Sequence, residues 1–302
     1  MNTAEILLLA LLLDALLGEP RWLWDRFPHP AVLMGRVIGA ADKRFNTGSA
    51  RILKGGVLIA ALVLAMLLLG KFIALFGWLP QLLLAAILLA QRSLVDHVRA
   101  VGKALRLSLG DGRRAVAMIV SRDTAQMDQS AVTRSAIESA AENLSDGIVA
   151  PAFWFLIGGL PGLLIYKIVN TADSMIGYRT ARHEEFGKAS ARLDDVLNWI
   201  PARLTGVLIA ATHHGLGQWQ DIRSDAAKHR SPNAGWPESA MARALNAAIA
   251  GPRAYDGEMR DFPFVNPDGR RTLGPADIDA TCTALWKTWG AMTAIILLIA
   301  LF

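Results

Sequence analysis

Acidic and amide side chains stand beside apolar segments at three places in this chain. In the run from 138 to 147, Glu138, Glu142 and Asp146 follow an i, i+4, i+8 series, which on a regular helix puts three carboxylates on one face. No basic residue lies between Arg134 and the apolar segment that follows, and like charges stacked this way cost stability unless a cation neutralises them. Asn170 and Asp173 repeat the theme at the far end of that segment, with Lys167 a turn before and Arg179 beyond. Asp194, Asp195 and Asn198 form the third group, with Arg203 following inside an apolar run. A solvated helix face would explain any one group. Three groups flanking broken apolar segments favour a polar, cation-binding cavity, because ionisable residues beside a membrane segment are costly. Oxygen ligands without His or Cys suit Mg²⁺, which commonly takes one or two carboxylates and completes its shell from phosphates.

Other residues carry less. Arg122, in Ser121-Arg122-Asp123-Thr124, can present a cation to an anion, or its neighbours can simply cap a helix. His29 sits in a rigid Pro28-His29-Pro30 turn and reads equally as structural or catalytic. The stretch Ser231 to Glu238, with Asn233 near its start, has the turn chemistry of an ordered binding loop. Neither a phosphate-binding P-loop nor a dinucleotide glycine fingerprint occurs.

These residues must be positioned by a membrane protein. Of 302 residues, 53% are hydrophobic and 19% charged, with a mean hydropathy of +0.34; soluble chains carry about 25% charged residues. The single cysteine, Cys282, excludes an internal disulfide framework, and a net charge of +5 without a basic, aromatic-rich run argues against nucleic acid. Apolar runs at 6–17, 57–78, 82–95, 148–169, 196–211 and 285–302 predict an all-α, polytopic helical membrane protein with four to six membrane-embedded helices. The whole chain, 1–302, reads as one integral-membrane domain. No small-residue cleavage site follows the first run, which argues against a signal peptide. Residues 19–54 hold seven Lys/Arg against three Asp/Glu, placing that segment in the cytoplasm. The run 148–169 is broken by Gly158-Gly159-Leu160-Pro161-Gly162. It either crosses once or turns back as a re-entrant hairpin, and the sequence is compatible with both. Residues 218–281, rich in proline and glycine, read as a structured polar cytoplasmic lobe.

Six blocks, in order, carry a resemblance. They are His29 to Arg36, Ser121 to Thr124, Glu138 to Gly147, Tyr166 to Tyr178, Arg192 to Arg203, and Ser231 to Pro237. Together they resemble the integral-membrane adenosylcobinamide-phosphate synthases of cobalamin biosynthesis, from about Asp14 to the final helix. The resemblance implies an ATP- and Mg²⁺-dependent ligase in the cell (inner) membrane, with its active site facing the cytoplasm. It would join (R)-1-aminopropan-2-ol phosphate, or the free aminopropanol, to a propionate of the corrinoid adenosylcobyric acid. Because a carboxylate is a poor electrophile, an acyl phosphate made from ATP is the expected intermediate. On this reading Glu138, Glu142, Asp146, Asp173 and Asp194 hold Mg²⁺. Arg122, Lys167, Asn170, Arg203 and Asn233 meet phosphates and substrate, and Asp195 or His29 takes the amine proton. The lipid bilayer is the expected partner, and a homo-oligomer is left open. Two rivals use similar groups. Mg²⁺-dependent membrane prenyl- or alcohol-phosphate transferases have Asp-rich signatures that Asp194-Asp195-Val196-Leu197-Asn198 only partly echoes, and a transporter would leave the polar lobe unexplained.

Overall fold

The computed structural model describes residues 1–255 and 258–302. In chain order its helices are α1 (Thr3–Leu17), α2 (Arg21–Trp24), α3 (Pro30–Phe45), α4 (Arg51–Ala74), α5 (Trp78–Leu88), α6 (Gln91–Leu107), α7 (Leu109–Val116) and α8 (Gln129–Leu144). A π-helical turn, Ser145–Val149, precedes α9 (Ala150–Ile176); α10 (Lys188–Leu197), α11 (Trp199–Thr212), α12 (Trp219–Ala226), α13 (Gly235–Ala244) and α14 (Pro275–Leu301) follow. Four strands, β1 (Ile249–Ala250), β2 (Arg253–Tyr255), β3 (Glu258–Arg260) and β4 (Phe264–Val265), make two two-stranded antiparallel pairs, β1 with β4 and β2 with β3. The protein is all-α, as its composition requires. Among the described residues, four helical stretches are by length and composition apolar enough to cross a membrane: Arg51–Ala74, Trp78–Leu107, Gln129–Ile176 and Pro275–Leu301. The contacts divide the chain into two compact units, one of residues 1–90, 146–199 and 296–302, the other of 91–145 and 200–295.

In the first unit α9 decides the architecture. Gly159 adopts φ +60° and ψ −155° and breaks the helix, with Pro161 just beyond. Only glycine takes that conformation at little cost. If 146–170 ran straight, its ends would stand about 36 Å apart at 1.5 Å per residue. Instead the Asn170 amide lies 3.3 Å from the Asp146 carboxylate, and the Tyr166 hydroxyl donates to the Asp146 carbonyl at 3.2 Å. The chain therefore turns back as a re-entrant helical hairpin with its tip at 158–162. Packing against α4 fixes its depth. Pro161 at the tip abuts Gly70, whereas Phe186, beyond the hairpin, abuts Gly55. Those two glycines are about 22 Å apart along α4. The tip thus reaches most of the way along a membrane-length helix, and residues 177–195 return to the Arg51 end of α4.

Polar contacts anchor the returning loop. Asp42, near the end of α3, accepts from Asn46 at 2.8 Å and from Arg182 Nε and Nη2 at 3.1 and 2.6 Å. Asn46 also donates to the Arg182 carbonyl, and Arg51 pairs with Glu185 at 2.8 Å. Burial pushes the Asp42 carboxyl up, but the Asn46 amide and Arg182 guanidinium more than reverse this and hold it below the usual aspartate value. A depressed carboxyl contributes stability above its unfolded pKa of about 3.9, and the contribution is lost as pH falls through the folded value. Arg182→Ala is expected to raise the pH of acid unfolding, followed by circular dichroism in detergent.

The second unit is built around α8, whose Val132, Ala136, Ile137, Ala140, Ala141 and Leu144 are buried. It packs on α6, α7, α13 and β1. The described residues of 218–281 belong here, and a buried carboxylate ties several of them together. Asp225 accepts from Arg243 at 2.7 Å, from the Asn266 backbone N–H at 3.0 Å and from Lys228 at 3.0 Å. Asp277 then fixes the start of α14, accepting from Gly274 N–H at 2.8 Å and Arg270 at 2.7 Å.

Candidate active site

The base of the hairpin gathers polar groups from three separate stretches of the first unit. Asp194 is buried in α10, and each of its oxygens receives an amide: Oδ1 from Asn170 at 3.2 Å, Oδ2 from Asn198 at 3.0 Å. The same Asn170 nitrogen also faces Asp146 Oδ2 at 3.3 Å, so one amide is shared between two carboxylates. Asn198 passes the network on, its Oδ1 at 3.0 Å sharing the single proton of the buried Tyr166 hydroxyl with the Asp146 carbonyl. Trp154 closes one side by donating to the Leu197 carbonyl at 3.1 Å. Burial, opposed by the two amides, raises the Asp194 carboxyl to about 6. The arrangement concentrates negative charge where little water screens it, and the bound amides hold both carboxylates in fixed directions.

Cationic and further acidic groups stand close by. Asp146 and Glu19 are the charges that act on Lys167, and Asp146, Asp194 and more weakly Asp173 act on the Tyr166 hydroxyl. Asp173 ends the second limb; its Oδ1 fills the space a β-carbon on Gly177 would need. Asp195 is about 100° around α10 from Asp194. It lines a cleft with Gly177, Arg179, Lys188 and Arg192 rather than the buried network.

The expected groups sort accordingly. Asp146, Asn170, Asp194 and Asn198 meet, with Lys167 and Asp173 near. The i, i+4, i+8 series does not hold as one face. Glu138 is buried and Glu142 exposed on α8, and Asp146 lies in the π-helical turn that follows. Glu138 pairs with Arg122 at 2.9 Å and accepts the Ala250 N–H at 2.9 Å. The expected metal ligand and the expected phosphate contact thus engage each other in the second unit. Among the described residues no three His, Cys, Asp or Glu side chains converge as a metal site, so a cation here would rest on one or two carboxylates and outside ligands. His29 is a structural cap. Its Nδ1 accepts from Ala31 N–H at 3.2 Å and starts α3, and its Nε2 donates to the Ile87 carbonyl at 3.1 Å. Both nitrogens are used, burial holds the ring below the usual histidine pKa, and no lone pair remains for an amine proton. His29→Ala is expected to cost about 1 kcal/mol of stability with turnover per folded molecule within twofold, read from thermal melts and rates on one preparation.

The family described as CobD/Cbib protein matches residues 7–285. The chain belongs to this family. It is 48% identical over 311 residues to the cobalamin biosynthesis protein CobD of Brucella anthropi, covering 97% of this chain and 95% of that one. The Sinorhizobium protein of the same name is 47% identical over 315 residues, with 98% of each chain covered. That of Rhodobacter capsulatus is 44% identical over 313 residues, covering 99% of this chain and 98% of that one. No solved structure matches it.

In this member of the family two more expected residues meet in the second unit. Arg203 of α11 lies over the Trp236 ring at 4.9 Å and donates to Asn233 Oδ1 at 3.4 Å. Ser231 Oγ accepts the N–H groups of Asn233 and Ala234 at 3.2 Å each, so the loop is held in shape from within. Trp219 stacks beside Trp236 with centroids 5.4 Å apart. Of the hairpin-base residues, Tyr166 escapes a search for acids and amides. Its signal in the sequence is a lone phenol in an apolar limb, which must find a partner when buried.

Proposed function

We propose that the protein is an ATP- and Mg²⁺-dependent amide synthase of cobalamin biosynthesis, joining aminopropanol phosphate to a propionate of adenosylcobyric acid to give adenosylcobinamide phosphate. Family membership and the relatives' names support the pathway. The observation that carries the chemistry is the pair Asp146 and Asp194, bridged by Asn170 at 3.3 and 3.2 Å at the base of a membrane-embedded hairpin.

The donor set fits Mg²⁺: two carboxylates held in fixed directions by amides suit a cation that rarely takes an all-protein cage and would complete its shell from phosphates and water. Bound there, the ion would neutralise charge on ATP phosphates during transfer. The chain's own groups do the rest. Asn170 and Asn198 hold the carboxylates apart and oriented, and Lys167 offers positive charge at the same base. Asp195, on the neighbouring face of α10, is placed to take the proton released when the amine attacks an acyl phosphate. The base lies at the Arg51 end of α4, the end that the excess of Lys and Arg over 19–54 assigns to the cytoplasm, where ATP is available.

Purified protein incubated with adenosylcobyric acid, aminopropanol phosphate, ATP and Mg²⁺ is expected to yield a corrinoid heavier by the condensed amino alcohol phosphate. ATP should be consumed only when both substrates are present. No mass change, or a lipid-linked product, overturns the reading.

A further inference from the structure

A cleft of ≈ 280 Å³ opens beside the hairpin base, wholly within the first unit, lined by Gly177, Arg179, Glu184, Lys188, Arg192 and Asp195. Its charges are mixed but ordered. Lys188, Arg192 and Asp195 fall at i, i+4 and i+7 on α10, one stripe of the helix, with Arg179 facing them from the loop after α9. Arg51 pairs with Glu185 and Arg182 with Asp42 close by; Arg179, Lys188 and Arg192 line the cleft. Arg192 and Arg179 both act electrostatically on Asp195.

We infer that this cleft binds an aminoalkyl phosphate, its phosphate held by Arg192, Lys188 and Arg179 and its amine set toward Asp195. Three cations suit a phosphate dianion, and Arg offers it paired N–H donors. A second site of opposite sign one helical turn along, about 5 Å, matches the reach of a short amino alcohol chain. A purely anionic ligand would be repelled by Asp195 and Glu184, and a simple amine by the three cations. Gly177 ties the cleft to the reaction centre, since Asp173 rests on it, and Asp194 beside Asp195 belongs to the buried network. The inference rests on the amide-synthase reading, of which it names the amine subsite. The same chemistry occurs in a free ester and in a phosphatidylethanolamine headgroup.

The test is calorimetric titration of the full chain in phospholipid-free detergent with O-phosphoethanolamine, inorganic phosphate and ethanolamine, without ATP or corrinoid. O-phosphoethanolamine should bind saturably and at least about tenfold more tightly than either fragment. Arg192→Gln should weaken O-phosphoethanolamine and inorganic phosphate alike by about tenfold or more. Asp195→Asn should weaken O-phosphoethanolamine but tighten inorganic phosphate, a reversal of sign that a folding defect cannot produce. Repeating the titration in phosphatidylethanolamine against phosphatidylcholine nanodiscs assigns the source: competition identifies the headgroup, unchanged affinity the free ester. Absent saturable binding, or Asp195→Asn moving both probes the same way, overturns the site. Binding without amide formation would remove the synthase reading and leave the cleft. Amide formation with an unchanged KM in Arg192→Gln would do the reverse.

Discussion

On the proposed amide-synthase function, Asp194→Asn is expected to lower amide-forming turnover by about 10³-fold or more, because it would remove a fixed charge from the place where phosphate charge is to be balanced. The substitution also turns one accepting oxygen into an amide that faces an amide donor, Asn170 or Asn198, so about 1–3 kcal/mol of stability is at stake. Relief of a buried charge opposes that loss, and the variant should remain folded. The two effects separate when rate and melting are measured on the same preparation across a Mg²⁺ series. A ligand role predicts that the Mg²⁺ concentration for half-maximal rate rises in Asp194→Asn and in Asp146→Asn. A purely structural role predicts an unchanged Mg²⁺ dependence and activity that follows the folded fraction. Asp173→Asn supplies the contrast: Asp173 rests on Gly177 at the edge of the network, and its loss of turnover should be at least about tenfold smaller. A well-folded Asp194→Asn variant that turns over within tenfold of the parent at saturating Mg²⁺ would remove the reaction centre from the hairpin base.

What the sequence discloses follows from which physical costs are local. An apolar run long enough to span a bilayer has few other destinations, so the helical membrane class is legible from composition. Acids and amides placed against such runs are costly wherever the chain goes, so Asp146, Asn170, Asp194 and Asn198 can be picked out without coordinates. The companions of each group are set by tertiary geometry. Glu138 reads as one of a row of carboxylates, yet its charge is met by Arg122, sixteen residues earlier along the chain. His29 could not be sorted between cap and base because the carbonyl that occupies its Nε2, Ile87, lies 58 residues away. The Gly-Gly-Leu-Pro-Gly break was equally suited to a kink and to a reversal. A single backbone angle at Gly159 and the proximity of Asn170 to Asp146 distinguish them.

The reversal itself makes the other large prediction. Gly162 lies so close to the opposite limb that a β-carbon would sit 2.3 Å from the Trp154 carbonyl oxygen. That atom is backbone and cannot rotate away, so Gly162→Val must either open the hairpin or displace a limb. Overpacking in a well-packed core costs about 1–3 kcal/mol, and here the strain falls on the contact that brings the limbs together. Topology is the informative readout. In a Cys282→Ser background, single cysteines replacing Lys54 and Glu184 should react with an impermeant maleimide from one side of sealed vesicles, and one replacing Phe76 from the other. A straight α9 would put position 184 on the side of position 76 and end the re-entrant reading. If the hairpin is right, Gly162→Val should lose the defined labelling of position 184 while positions 54 and 76, on either end of α4, keep theirs. Turnover should fall with it, since the strain lies in the turn that returns Tyr166 and Asn170 to the level of Asp146.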